Sequence, residues 1–581
     1  MAFSPVSTAA NHYHFVMKYS PLIMKTFPQR GAFVVAFLFL CAGRLAAIAA
    51  EWQWSVSVDS ITLPNSSEHP RAFLWVPPDC RQVRGVVVGQ NNMIEEGIFQ
   101  HPDFRKSLTR LGFAEIYIAP TFDTWQNATN NDATNEKFTA LLRSLADESG
   151  YSELQFAPVV PMGHSAMASF PWNFAAWNPA RTLAILSVHG DAPQTTLVGN
   201  GRPNVDWGSR NINGIPGLMV MGEYEWLETR LAPAIKFRAQ HPTAPVALLA
   251  EPGRGHFDYS DQLVNFLAMF IRKAAEQRLP TKSPLDAPVK LKSIDPTRGW
   301  LVERWHLNQP RTVKPAPYAK YSGNPKEAFW CFDKEMALAT QNYFSDQPGK
   351  LPQLLGFMQD GKILPQTPTH NQISLRFQPD ADDLTFHLTT TFLESVDGGS
   401  PNTTRWTGLI AGSPLGHATG GVPVKLSRIS GPVEQLSADT FAMRFNRSSI
   451  PADRRAGDIW LLASHPGDAK YKNAVQQALL KISIRLTDGA EQHITFLGIP
   501  DQKAGTKKLK LNATSDANVP VYFYVREGPV EVDGDVLRFT KIPPRAKCPV
   551  KVTVVAWQYG RAAEPKLKTA EPIERTFYIA Q

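Results

Sequence analysis

The amino-acid sequence predicts an α/β protein, a mainly parallel sheet with helices on both faces, followed by β-rich regions that end in a β-sandwich. Three observations carry this. Between about residues 52 and 275, short apolar runs alternate with stretches of helical periodicity, the pattern of strand–helix–strand units. Residues 278–296 are rich in proline and lysine and lack periodicity, which reads as a linker. Beyond it β-formers cluster between Gly, Pro, Asn and Asp turns, and a chain of 581 residues is too long for one ordinary core.

The first fifty residues read as a leader. Gly31 to Gly43 is an apolar run, preceded by Lys25 and Arg30 and followed by Ala47-Ile48-Ala49. A charged segment, a short apolar core and a small-x-small site together predict a secretory signal, hence export to a periplasm or the exterior. The run is too short to span a bilayer comfortably, so no stable membrane insertion is expected once it is cleaved. Met24 is an alternative start, and an uncleaved anchor is the alternative reading.

Past the leader, Phe73–Val76, Gly85–Val88, Glu115–Ile118, Pro158–Met162, Leu183–Val188, Leu218–Met221 and Val246–Ala250 read as strands of a domain at 51–277. Helices are expected between them. Pro102 to Leu111 stops at Gly112; Phe138, Leu141, Leu142 and Leu145 fall on one helical face; and Ser260 can cap a final helix with Leu263, Phe266, Leu267 and Phe270 inward. A middle block at 297–486 reads as mixed but mostly β, with strands at 373–377, 384–392, 440–445 and 481–486 and a helix around Glu327 to Tyr343. From 487 to 581, strands at 493–497, 509–513, 519–525, 536–539 and 550–557 have sandwich-like spacing.

Composition narrows the function classes. At 43% hydrophobic and 19% charged, the chain is globular material. The net charge of +8 falls to +4 without the leader, which holds Lys18, Lys25, Arg30 and Arg44 and no acid. No dense basic run with interleaved aromatics occurs, so nucleic acid is not an expected partner. Cys80, Cys331 and Cys548 are widely spaced, without zinc-ligand spacing, and neither a metal nor an organic cofactor is expected.

The chemistry is carried by Gly163-His164-Ser165-Ala166-Met167-Ala168, between a strand and a helix. A serine hydroxyl becomes a nucleophile when a base takes its proton and a tight turn lifts its oxygen clear of the backbone. Gly163 gives the small residue that such a turn needs; Met167 stands where a second glycine is usual, with Ala168 one further on. Alone, three matching residues would be weak evidence. Chain order strengthens it, because Glu223 and Glu225 follow one later strand and His256 follows the next. Ser165 is thus the candidate nucleophile, His256 its base and Glu225 the preferred acid. Glu223 is the alternative acid, and Asp191 a third carboxylate with a structural reading. A developing oxyanion needs amide donors, expected from Ala166 and from the loop Gln90, Asn91 and Asn92.

On those three loops, Gly163-His164-Ser165, Gly222-Glu223-Tyr224-Glu225 and Gly255-His256-Phe257, residues 52–275 resemble the α/β-hydrolase superfamily. The resemblance implies an eight-stranded, mainly parallel sheet and cleavage of carboxylic esters or related acyl groups through an acyl-serine. Met167, Pro158, Pro161 and Pro171 depart from the usual pattern. A proline in a central strand removes a ladder donor, so the nucleophile strand is expected to begin late or bulge, and Pro171 to shorten or kink the next helix. The segment around Pro520 to Tyr559 looks like the immunoglobulin-like module of bacterial exported enzymes.

For the substrate, Trp125, Trp172, Trp177 and Trp226 fall near loops at the expected site, where flat aromatic faces could stack on sugar rings. With the β-rich appendages, this suggests an acylated small molecule or polysaccharide, such as an acetyl or feruloyl ester of a carbohydrate or plant polymer. The alternative for the tryptophans is core packing. A lipase, polyester depolymerase or peptidase would use the same residues, and a non-catalytic binding protein is the alternative of another kind.

Overall fold

The structure, a computed structural model, describes residues 50–580 apart from 64–65, 124, 127–130, 197–202, 226–227, 308, 344, 346, 369–370 and 399–400. The leader and Trp226 lie outside the described residues. The described residues belong to one compact unit, Ala47–Gln581.

Eight strands form the central sheet: β1 (Trp54–Ser57), β2 (Arg71–Trp75), β3 (Gly85–Gln90), β4 (Phe113–Ala119), β5 (Val159–His164), β6 (Ile185–Val188), β7 (Gly217–Gly222) and β8 (Val246–Glu251). Their spatial order is β1-β2-β4-β3-β5-β6-β7-β8, with β1 and β2 antiparallel and every pairing from β4 to β8 parallel. This is the eight-stranded, mainly parallel sheet that was expected; β1, short and polar in alternation, was not legible. Because side chains alternate across a strand, Val87 faces one core and Val86 and Val88 the other.

Helices cover both faces. They are α1 (Glu95–Gln100), α2 (Pro102–Leu111), α3 (Asp132–Ser149), α4 (Phe170–Trp177), α5 (Glu228–Gln240) and α6 (Asp261–Arg278). Gly112 ends α2 in a left-handed cap, and the Ser260 hydroxyl accepts from Leu263 N at the start of α6. Phe104 and Leu108 of α2 pack with Leu263, Phe266, Leu267 and Phe270 of α6, while Phe138, Leu141, Leu142 and Leu145 of α3 fill the opposite core. No described helix is long and apolar enough to cross a membrane.

The prolines act only partly as expected: against β6 the continuous ladder does begin late, at Met162, past Pro161. β5 neither starts late nor bulges against β3, where Pro161 holds its place opposite Val88. Val159 donates to Arg181 O, so the nitrogen two residues on faces β6 as well; there the ladder passes from Val159↔Thr182 to Met162↔Leu186 and skips the missing donor. Pro171 lies in the first turn of α4, where helical N–H groups have no partner anyway. A separate 3-10 turn, Ser165–Met167, precedes α4.

Beyond α6, residues 279–295 form no helix or strand, yet Val289 and Ile294 are buried in the main core and Ile294 N donates to Gly214 O. The same core takes in Trp330, Cys331, Met336 and Tyr343, so it continues past the expected linker. The helix expected from Glu327 begins at Lys334, because the buried run Ala328–Cys331 is a strand and the Asp333 carboxylate caps Met336 N at 3.0 Å. A four-stranded sheet follows, built from 373–375, 474–481, 458–465 and 425–430. The C-terminal region packs the sheet of 502–503, 573–580, 550–557 and 522–527 and that of 508–510, 536–539 and 530–533 about one core, a β-sandwich. Cys80, Cys331 and Cys548 are free thiols.

The turn after β5 depends on Gly163. A Cβ there would meet the Met167 carbonyl, 2.8 Å from its carbon, and Pro171 Cδ at 3.2 Å. Gly163→Ala should lower unfolding free energy by about 1–3 kcal/mol, the usual cost of overpacking. A denaturant midpoint unchanged from wild type would show that the turn is less tightly built than this.

Candidate active site

Ser165 opens the turn after β5 with a left-handed backbone, φ 52°, and is only partly buried. A non-glycine residue is held there only when its surroundings over-determine it. Facing it, the loop after β8 brings His256 Nε2 to 2.6 Å from Ser165 Oγ. The other ring nitrogen, Nδ1, bonds Glu225 Oε2, from the 3-10 turn after β7. The imidazole thus donates from Nδ1 and accepts the serine proton at Nε2.

Glu225 accepts four hydrogen bonds, about as many as a carboxylate can hold. Oε1 takes His189 Nδ1 at 2.8 Å and Gly222 N at 3.1 Å; Oε2 takes Arg230 Nη1 at 2.7 Å and the His256 ring. Burial alone would raise its pKa, but Arg230 and then His256 and His189 hold it well below the usual carboxylate range. For His256 burial dominates and lowers the pKa, with Glu225 opposing. The ring is therefore neutral at neutral pH.

His189, just past β6, is fully buried with φ 45°. Its second nitrogen, Nε2, lies 3.0 Å from Glu251 Oε2, whose partner oxygen accepts Tyr343 OH at 2.8 Å. Burial pushes His189 down, but the carboxylates Glu225 and Glu251 outweigh it and raise its pKa to about 10. His164 is also buried. It bonds through Nε2 to the carbonyl of His256 at 2.7 Å and through Nδ1 to Asn92 Nδ2 at 3.1 Å, and burial holds it neutral, well below the usual range. Glu95 accepts the amides of His164 and Met93 at 2.8 and 2.9 Å, and burial raises its pKa to about 7.

The middle region grips these loops. Arg455 donates to Asn92 Oδ1 at 3.0 Å and to Asn92 O at 2.8 Å. Gln477 donates to Asp258 Oδ2 at 2.8 Å, the atom that also accepts Gly255 N. Gly255 leaves room for that approach: a Cβ would lie 2.8 Å from Gln477 Cδ, and the Gln477 amide would have to swing away from Asp258. Asn473 Nδ2 bonds Pro252 O at 2.8 Å.

Ser165, His256 and Glu225 are thus brought together. Several other expected residues are not. Glu223 turns away, pairing with buried Lys472 at 2.8 Å and accepting Gly253 N at 2.6 Å. Asp191 contributes its carbonyl to Trp172 Nε1 and Ser187 Oγ. Asn91 cannot offer its amide to an oxyanion, because Asn91 N donates to Ile118 O at 2.7 Å. Gln90 ends β3, and its side chain accepts Phe122 N and Asp123 N, bracing the next loop. Trp125 is 0% exposed, packed among Phe138, Phe170 and Phe174, and Trp172 is 1% exposed against Gly217. Neither can stack on a substrate; core packing claimed both indoles. Trp177 is half-buried, with Arg210 over its ring at 4.4 Å.

His189, Arg230 and Glu251 are not among the residues that the sequence predicts for the site. His189 and Glu251 lie at strand ends, the same rule that located His256. Arg455, Lys472 and Gln477 carry no local signal. Among the described residues, no cluster of His, Cys, Asp and Glu is arranged to hold a metal ion.

No family model and no curated protein matches the chain. Among solved structures it is similar to fluorophosphonate-binding serine hydrolase F of Staphylococcus aureus, at 13% identity over 38% of this chain and 98% of that one, TM-score 0.27. It is similar also to an S-formylglutathione hydrolase from Agrobacterium tumefaciens, at 17% over 39% and 94%, TM-score 0.29. A dienelactone hydrolase from Anabaena variabilis shares 16% over 39% and 96%, TM-score 0.26. Likenesses this distant say nothing of what the chain acts on.

The Glu223–Lys472 pair gives a test of the grip. Removing one partner leaves a buried charge alone, so Glu223→Ala should cost about 3–5 kcal/mol in unfolding experiments. Glu223→Gln combined with Lys472→Met should recover most of that loss; equal losses in both would show that the charge pairing is not what matters.

Proposed function

We propose that the protein is a serine hydrolase that cleaves carboxylic esters. The observation that carries this is the hydrogen-bonded line from Ser165 Oγ through His256 to the ionised Glu225, ending at a strained, partly accessible turn. Ser165 Oγ attacks the ester carbonyl carbon while His256 Nε2 takes its proton. Glu225 holds the ring in its Nδ1–H tautomer and favours the imidazolium that forms. The oxyanion is met by the amide of Ala166, at the head of the turn, and by that of Asn92. Within the loop after β3, Asn91 N and Met93 N already have partners, which leaves Asn92. His256 then passes its proton to the leaving alcohol, and water, deprotonated by the same ring, releases the acid from the acyl-serine.

The finer reading is an exported esterase of acylated carbohydrate or plant polymer. It is supported by the leader and by the β-rich regions, including the C-terminal sandwich read as immunoglobulin-like. The buried Trp125 and Trp172 no longer support it. Acid release from acetylated or feruloylated glycans, beside simple esters, tests it; hydrolysis of simple esters alone would end that reading.

A fluorophosphonate probe should label the wild type and not Ser165→Ala. No labelling of wild type, or equal labelling of both, sinks the enzyme reading. Glu225→Gln should cut kcat/KM on an activated ester by roughly 10²-fold or more. The acid limb of kcat/KM follows from burial at His256. The ring must be neutral to accept the proton, and its pKa lies below 6.5. Activity should therefore persist as pH falls through 6.5 and fail only lower; a midpoint above 6.5 would contradict the assignment of the base.

A further inference from the structure

A triad carboxylate ordinarily serves one histidine. Here Glu225 serves two, plus an arginine, and the second histidine has a carboxylate on each side. A neutral imidazole presents one N–H and one lone pair, so it can satisfy only one of two flanking carboxylates. Glu225 is hydrogen-bonded to Nδ1 at 2.8 Å, and Glu251 lies at ion-pair distance from Nε2, 3.0 Å, off the line of a hydrogen bond; as the imidazolium, His189 carries a charge that both carboxylates favour. Arg230 is fixed beside it, its Nη2 donating to Gly190 O at 2.9 Å while Nη1 holds Glu225. Two buried cations therefore compete with His256 for one carboxylate.

We infer that His189 and Arg230 are positioning residues for the reaction: sharing Glu225 with His256, they weaken that carboxylate's hold on the ring and keep it able to take the Ser165 proton in acid media. The inference rests on the serine-hydrolase reading only for its consequence; the charge arrangement stands on the contacts themselves. A buried carboxylate beside a histidine normally favours the imidazolium, which would stop the base working at low pH. Each cation added to Glu225 offsets that pull and also repels a proton on His256.

The other charged groups facing His256 do not reverse the sign. Arg230 stands behind Glu225, with half-buried Arg405, which donates to Tyr224 O, also in its field. From the end of β5 comes His164, ring centroids 5.2 Å apart and held neutral. On its own loop, Arg254 and Asp258 pair at 3.5 Å, and Glu251 is taken up by His189. His189 itself lies 6.4 Å away, ring to ring.

The experiment follows ring protons by NMR in full-length protein carrying isotope-labelled histidine, with signals assigned through His256→Gln and His189→Gln. In wild type, His189 should show both nitrogens protonated at pH 7.5, and His256 should titrate below 6.5. In His189→Gln and in Arg230→Gln the His256 midpoint should rise by about one pH unit, while Arg230→Lys, which keeps the cation, should move it far less. His189→Gln leaves Glu251 without its cation, with only Tyr343 OH as a partner, and can misfold, so His189→Gln with Glu251→Gln is the paired variant, and it too should raise the midpoint. A neutral His189 at pH 7.5, or an unmoved His256 midpoint in the folded variants, overturns the inference. Fluorophosphonate labelling across the same pH range separates the two readings. Shifted midpoints with no labelling of wild type would leave the charge arrangement standing and remove the hydrolase.

Discussion

Everything in the site converges on the carboxylate of Glu225. A buried charge without partners is too costly to keep, and one with partners fixes them in space. Gly222, His189, Arg230 and His256 belong to β7, to the loop after β6, to α5 and to the loop after β8. Each donates one hydrogen to the same two oxygens. The carboxylate therefore holds the ends of three neighbouring strands in register as well as orienting the His256 ring. Replacing it by an apolar group would strand two cations.

A second set of contacts comes from far along the chain. Arg455 fixes the loop after β3 through Asn92, Lys472 occupies Glu223, and Asn473 and Gln477 hold the loop that carries His256. Buried ion pairs, here Lys472–Glu223, do little for net stability, because desolvation offsets their attraction. What they supply is position. The β-rich middle region thus acts as the outer wall of the site; it has a core of its own around Phe357, Phe441 and Leu461, and Trp460, Leu462 and Val475 tie it to the core of the sheet.

Much of this was legible in sequence. Strands β2 to β8 announce themselves as apolar runs with glycine or proline at their ends, and the positions just past those ends hold Ser165, Glu225 and His256. What failed was judging side-chain direction. Trp125 and Trp172 lie in loops or at helix starts near the site, yet each buries a large apolar face, and burial decides where an indole goes. Gln90 and Asn91 are polar because a turn needs its own hydrogen bonds satisfied, not because they face a ligand. The choice between Glu223 and Glu225 hung on Lys472, 249 residues further on, which no local pattern can reveal. Glu327 fell inside an expected helix because periodicity over Ala328–Cys331 does not separate a buried strand from a buried helix.

The distance in sequence between Ser165 and the residues that frame its loops has a consequence for how the protein comes into being. Chains are made from the N-terminus, and domains generally fold as they emerge. When the whole eight-stranded sheet has left the ribosome, Arg455, Lys472 and Gln477 have not yet been made. The nucleophile strand can be in place while Asn92, Glu223 and the His256 loop still lack their outer partners. A nascent or truncated chain would carry Ser165, Glu225 and His256 without the contacts that frame their loops, so the proposed activity would have to wait for the last third of the chain.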